Sequence, residues 1–240
     1  NLVPLRHGES FKDAMDAMVR LAKRVEDLGY TRYWIAEHHN MRSIASSATQ
    51  LLIQHTLANT KKIRVGSGGV MLPNHSPYLI AEQYGTLETL YPNRVDLGLG
   101  RAPGTDVPTA MALRRTKDLK TDFERDLAEL SGYFKGSNYV QAYPAHGLYL
   151  PFYILGSSTD SAYLAAKLGL PYSFAAHFAP TMMENAIAIY NRYFQPSAIL
   201  DKPYVILGVN AILADTDEEA KRLSTTMIQS FLNIVTSNQK

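Results

Sequence analysis

Apolar positions recur at spacings of three and four through Phe11, Ala14, Met15, Met18, Leu21, Ala22, Val25 and Leu28. That period predicts an amphipathic helix, and Gly29 supplies its stop signal. The pattern then changes. Tyr33–Ala36 is a short apolar run of strand length that ends in Glu37-His38-His39-Asn40. The same exchange repeats down the chain. Helices are predicted at about 47–58, 79–90, 121–134, 160–168, 180–194 and 216–235, and strands at 63–72, 94–98, 152–155, 172–176 and 204–213. Residues 135–150, rich in Gly, Tyr and Pro, read as a loop.

Strands that alternate with helices imply βαβ units and a parallel sheet. With Leu2–Leu5 as a first strand, the pattern gives seven such units. Two closures compete: an open doubly wound sheet, or a (β/α)8 TIM barrel, which needs eight units. The barrel is the preferred reading, an α/β fold in one domain over residues 1–240, with the first strand clipped and the eighth β/α unit absent.

Composition narrows the function. Hydrophobic residues make up 46% of the 240 and charged residues 19%, so a substantial core is available. A formal net charge of +2 leaves no basic footprint for nucleic acid. The chain has no cysteine, which excludes disulfides, thiolate metal sites and cysteine nucleophiles. No apolar run reaches the ~20 residues of a membrane helix. A cytoplasmic protein with no nucleic-acid or membrane partner is the expectation.

A strand that delivers polar groups at its C-terminal end suits a barrel, where catalytic groups sit at that end. A neutral imidazole there suits proton transfer; a purely structural pair of imidazoles is the alternative. Neighbouring strand residues face opposite ways, so His38 and His39 cannot share an ion, and no metal site is expected. If His38 faces the barrel mouth with Trp34 and Ala36, then Glu37 and His39 face away.

Gly66-Ser67-Gly68-Gly69 interrupts an apolar strand, which marks a bulge or the close approach of a ligand. Arg101 follows a strand end and offers a planar fork of donors suited to phosphate; a surface salt bridge is the alternative. Gly156-Ser157-Ser158 joins a strand to a helix, where backbone amides and hydroxyls form an anion site or a plain cap.

Together these stretches resemble the bacterial luciferase-like family of flavin-dependent monooxygenases, over nearly the whole chain. The matching motifs are W-x-A-E-H-H-N at Trp34–Asn40, G-S-G-G-V-M-L-P-N-H at Gly66–His75 and A-E-Q at Ala81–Gln83. They continue with R-V-D-L-G-L-G-R-A-P-G-T-D at Arg94–Asp106, Gly156-Ser157-Ser158, and H-F-A-P at His177–Pro180.

The resemblance implies a (β/α)8 barrel that uses reduced FMN as co-substrate, or less readily the deazaflavin F420. It implies His38 as the catalytic histidine and Gly68-Gly69 as a backbone step, often cis, beside the flavin ring. It implies Arg101, Ser157 and Ser158 as holders of the phosphate. The expected reaction is oxygenation of a small organic substrate by O2 through a C4a-peroxyflavin. A separate flavin reductase and a homodimer complete the expectation. A non-catalytic FMN-binding protein and an F420-dependent oxidoreductase are the alternatives. The family's reactive cysteine is Gly100 here. His75, Tyr78, His177 and Phe178 are expected pocket walls, and the loops at 104–120 and 135–150 are expected to set the substrate.

Overall fold

In a computed structural model, residues 1–102, 105–114 and 122–236 are described. Among these residues six strands form one sheet: β1 (Arg32–Ile35), β2 (Arg64–Met71), β3 (Val95–Gly100), β4 (Phe152–Gly156), β5 (Tyr172–Phe174) and β6 (Val205–Leu207). The helices are α1 (Phe11–Asp27), α2 (Thr49–Asn59), α3 (Pro77–Leu90), α4 (Val107–Arg114), α5 (Phe123–Lys135), α6 (Thr159–Leu168), α7 (Met183–Tyr193) and α8 (Asp217–Val235). Residues Asn1–Leu207 make one compact unit and Gly208–Lys240 a second, which contains α8.

All neighbouring strands are parallel, and their order in the sheet is their order in the chain. Each crossover therefore moves the same way. A doubly wound sheet reverses its order at a switch point, so the sequential order is the barrel's winding. The expectation of an α/β barrel holds, with six strands as an arc.

The expected first strand, Leu2–Leu5, does not enter the sheet. Asn1 pairs with β1's end, because the Ala36 N–H donates to its carbonyl at 2.9 Å. The chain then turns away at Val3, whose φ is 49°, and Pro4 has no N–H to continue a ladder. Val3 and Leu5 pair instead with residues 43–45: the Ala45 N–H donates to Val3 and the Leu5 N–H to Ser43. The strand expected at 204–213 is likewise shorter, Val205–Leu207, and among the described residues β5 alone pairs with it. The sequence pattern also missed α4, whose N-terminal signal is the Asp106 carboxylate accepting the Thr109 N–H at 2.9 Å.

α1 starts at a capping box in which Ser10 and Asp13 exchange hydrogen bonds. Its buried stripe is narrower than the sequence pattern, consisting of Ala14, Met18, Val19 and Ala22. The core lies between the sheet and its helices, and Val95, Asp96, Leu97 and Leu99 of β3 are fully buried. Among the described residues, no helix is long and apolar enough to cross a membrane.

Candidate active site

Parallel strands carry every candidate residue to one edge of the sheet. His38 follows β1, Gly68-Gly69 lies in the last half of β2, Arg101 follows β3, and Gly156-Ser157-Ser158 ends β4 and opens α6. The register ties these ends together, pairing Ile35 with Ser67, Met71 with Gly100, and Gly100 with Leu155. This is the C-terminal edge, where barrels place their chemistry.

The interior side of the strands is set at the opposite end. The Trp34 indole N–H donates to Asp96 at 3.0 Å, and its ring meets Tyr153 edge-on at 4.9 Å. Beyond β1 the alternation continues. Glu37 and His39 converge on one point, where the His39 Nε2 lies 3.0 Å from Glu37 Oε1. His75, delivered by the 3-10 turn Leu72–Asn74 after β2, brings its Nε2 to 2.7 Å from the same oxygen. The Met71 N–H reaches Glu37 Oε2 at 3.3 Å.

Glu37 is 1% exposed. Burial alone would push its carboxyl up, but the hydrogen bonds from His39 and His75 outweigh that and hold it below the ordinary carboxylate range. His38 is not a member of this cluster; its own N–H donates to Ser46 at 3.0 Å. The gathered donors are Glu37, His39 and His75, a set that the opposite facing of His38 and His39 does not exclude.

The Gly68–Gly69 peptide is cis, and it sits where the β2–β3 register shifts between Ser67 and Val70. Strand packing accounts for several of these glycines. A Cβ on Gly66 would lie 2.2 Å from the Asp96 carbonyl, and one on Gly98 2.2 Å from the Ser67 carbonyl. A Cβ on Gly69 would meet the Gly98 carbonyl at 2.9 Å, and one on Gly68 the Trp34 Cβ at 3.1 Å. At Gly100 a Cβ would find nothing nearer than 3.8 Å.

Arg101 is brought to the first turn of α6. The Arg101 guanidinium is 57% exposed and lies 3.4 Å from Asp160 in the first turn of α6. Ser158 is the N-cap of α6 but makes no side-chain cap bond, which leaves amides of that first turn without a capping side chain. Gly156 packs on Ser161, whose Oγ would lie 2.0 Å from an added Cβ.

One contact went unnoticed in the sequence. Asn40 Nδ2 donates to Asp106 Oδ2 at 3.0 Å, joining the loop after β1 to the one after β3. Asn40, then the Thr109 backbone N–H and hydroxyl, hold the Asp106 carboxyl down to about 2. The two residues close the W-x-A-E-H-H-N and G-T-D motifs, but only the fold shows that they meet.

Among the expected pocket walls, the Tyr78 ring packs edge-on against Tyr133 of α5 at 5.2 Å. His177 and Phe178 lie against each other at 4.6 Å beyond β5. Of the substrate-shaping loop expected at 104–120, residues 104 and 115–120 lie outside the described residues.

Comparison with known proteins gives these features a context. The sequence model of the family described as "Luciferase-like monooxygenase" matches residues 3–239. A luciferase-like monooxygenase of Escherichia coli strain K12 is 51% identical over 238 residues, covering 98% of this chain and 71% of that protein. The structure of apo-MsnO8 superposes with a TM-score of 0.91 at 35% identity, covering 100% of this chain and 72% of that one. The fold is also that of the oxygenating constituent of 3,6-diketocamphane monooxygenase from Pseudomonas putida, solved in complex with FMN. That match has a TM-score of 0.71 at 20% identity over 92% of this chain and 68% of that one.

Proposed function

Since the chain belongs to the luciferase-like monooxygenase family, we propose that it is a flavin-dependent monooxygenase that takes reduced FMN and O2 to oxygenate a small organic substrate. The observation that carries this reading is the shared edge. His38, Gly68-Gly69, Arg101 and Gly156-Ser157-Ser158 stand at the C-terminal ends of four consecutive parallel strands.

The residues present fit FMN. Arg101 and the amides of the first α6 turn offer a guanidinium and a helix N-terminus to a phosphate dianion. The uncapped Ser158 leaves its hydroxyl and those amides for the ligand. Asp160 now takes the guanidinium, so a phosphate would displace it. Gly68-Gly69 offers bare backbone to a flat ring. Bound flavin would supply the activation of oxygen. The chain's part is to bind and orient it, and His38 would donate or accept a proton at the reacting position. This reading carries with it a separate reductase as the source of reduced flavin, and a homodimer.

The test is anaerobic mixing with reduced FMN followed by an oxygen pulse. Reoxidation slower than that of free FMN, and altered in His38→Ala, is the expected result. Reoxidation identical to free flavin, with tight binding of F420, would replace the reading with the deazaflavin one. Arg101→Ala should weaken FMN at least about 10-fold, the scale of one charge-assisted contact of about 1.4 kcal/mol. Asp160→Asn should tighten it.

A further inference from the structure

We propose that Glu37, His39 and His75 form a binding site for one borderline divalent cation such as Zn2+. The donor atoms are already gathered: Glu37 Oε1 lies 3.0 Å from His39 Nε2 and 2.7 Å from His75 Nε2, and all three lie within 4.8 Å of one another. Ligand atoms about 2.1 Å from one ion lie about 3.4 Å apart in a tetrahedral shell, a few tenths of an ångström wider than the separations here. The carboxylate–imidazole separations therefore need only small adjustment. The rings converge on the carboxylate, with centroids 6.4 Å apart and planes 53° apart.

The donor set chooses the metal. Two imidazoles and one carboxylate suit zinc, iron(II) or nickel, whereas magnesium and calcium take oxygen shells. The anchor is rigid. Glu37 has no exposed side-chain surface, and its second oxygen is fixed by the Met71 N–H at 3.3 Å, an outer contact of the kind that orients a metal ligand. His75 is set by its own N–H, which donates to Leu72 at 3.0 Å. Access is open as well: the His39 and His75 side chains are 12% and 22% exposed. An ion can enter from solvent, and solvent can complete its shell. On entry each neutral imidazole shifts its proton from Nε2 to Nδ1 by exchange with solvent, so that the ring stays neutral and the Nε2 lone pair faces the metal. A cation would clasp the loop after β1 to the turn after β2, on the side of the chain where Glu37 and His39 converge.

Zn2+ alone, titrated calorimetrically into the full chain after chelator treatment, tests this. The expected result is one equivalent per chain and a raised Tm. His75→Ala and His39→Ala should each weaken binding at least about 100-fold, the upper end of what loss of an outer contact alone brings. His55→Ala, on the exposed side of α2, should bind as the parent does. Imidazole 15N spectra of the unmutated chain decide the matter even if the variants fail to fold: two Nε2 signals should shift and lose their protons on zinc addition. No uptake, uptake undiminished in His75→Ala, or unmoved imidazole signals would overturn the proposal and leave a hydrogen-bonded triad.

Discussion

Asp96→Asn is the sharpest probe of what holds the sheet together. The carboxylate is completely buried, and every partner it has is a donor. Arg64 Nε donates to Oδ1 at 2.7 Å, and the Trp34 indole N–H to Oδ2 at 3.0 Å. Arg32 Nε stands 3.1 Å from Oδ2 as an ion pair without hydrogen-bond alignment. An asparagine keeps the shape but has one acceptor oxygen, so its amide must point N–H groups at N–H groups. The loss is at least one charge-assisted hydrogen bond, about 1.5–3 kcal/mol. Two guanidiniums are also left with a neutral partner. Removing one member of a fully buried pair costs about 3–5 kcal/mol, but the Arg32 and Arg64 side chains are 28% and 22% exposed. They also keep other acceptors, Tyr153 for Arg32 and the Val95 carbonyl for Arg64. We expect about 3 kcal/mol. Urea unfolding followed by far-ultraviolet circular dichroism measures it, because fluorescence would report Trp34 itself. A loss below about 1 kcal/mol at unchanged m-value would refute the reasoning, since it would mean that solvent already screens the cluster.

Gly98→Ala should cost about 3 kcal/mol or more, because its Cβ would sit 2.2 Å from the Ser67 carbonyl and β2 and β3 would have to part. Gly100→Ala, with 3.8 Å to its nearest neighbour, should change stability by less than about 1 kcal/mol in the same denaturation assay. Glu26 offers a pH test. Burial raises its carboxyl, but the N–H groups of Ile63, Lys62 and Lys61 hold it below 4.5 in the folded chain. Its contribution is therefore present above that unfolded value and lost as pH falls through the lower folded one. Glu26→Gln should flatten the acid limb of Tm against pH below about 4.5, with an unaltered limb as the contrary result.

Local signals carried the sequence reading as far as local signals go. The three-and-four spacing placed α1, and the abrupt end of Tyr33–Ala36 marked the edge where the polar groups gather. Neither says what meets what across the sheet. His75 is 38 residues from Glu37, Asp106 is 66 from Asn40, and Asp160 is 59 from Arg101; those meetings depend on parallel register. The first strand failed for a subtler reason. Leu2–Leu5 has strand composition, but Val3 turns the chain and Pro4 lacks the donor a ladder needs. The glycines were legible as close approach, yet the approaching atom at Gly66 and Gly98 is a neighbouring carbonyl rather than a ligand.

Were Gly66-Ser67-Gly68-Gly69 explained by ligand alone, it would be strong evidence for flavin; explained largely by strand packing, it is permissive. The discriminating contrast is the treatment of charge at the two ends of the strands. At the N-terminal ends Asp96 is sealed among Arg32, Arg64 and Trp34, with no exposed side-chain surface. At the C-terminal ends Arg101 stands 57% exposed against an Asp160 side chain that is itself 70% exposed. An exposed pair of that kind contributes at most about 1 kcal/mol to stability, so stability does not explain the placement of Arg101 beside the uncapped start of α6. On the proposed reading an anion would take the place of Asp160, which makes the Arg101–Asp160 pair, more than the glycines, the place to test for phosphate.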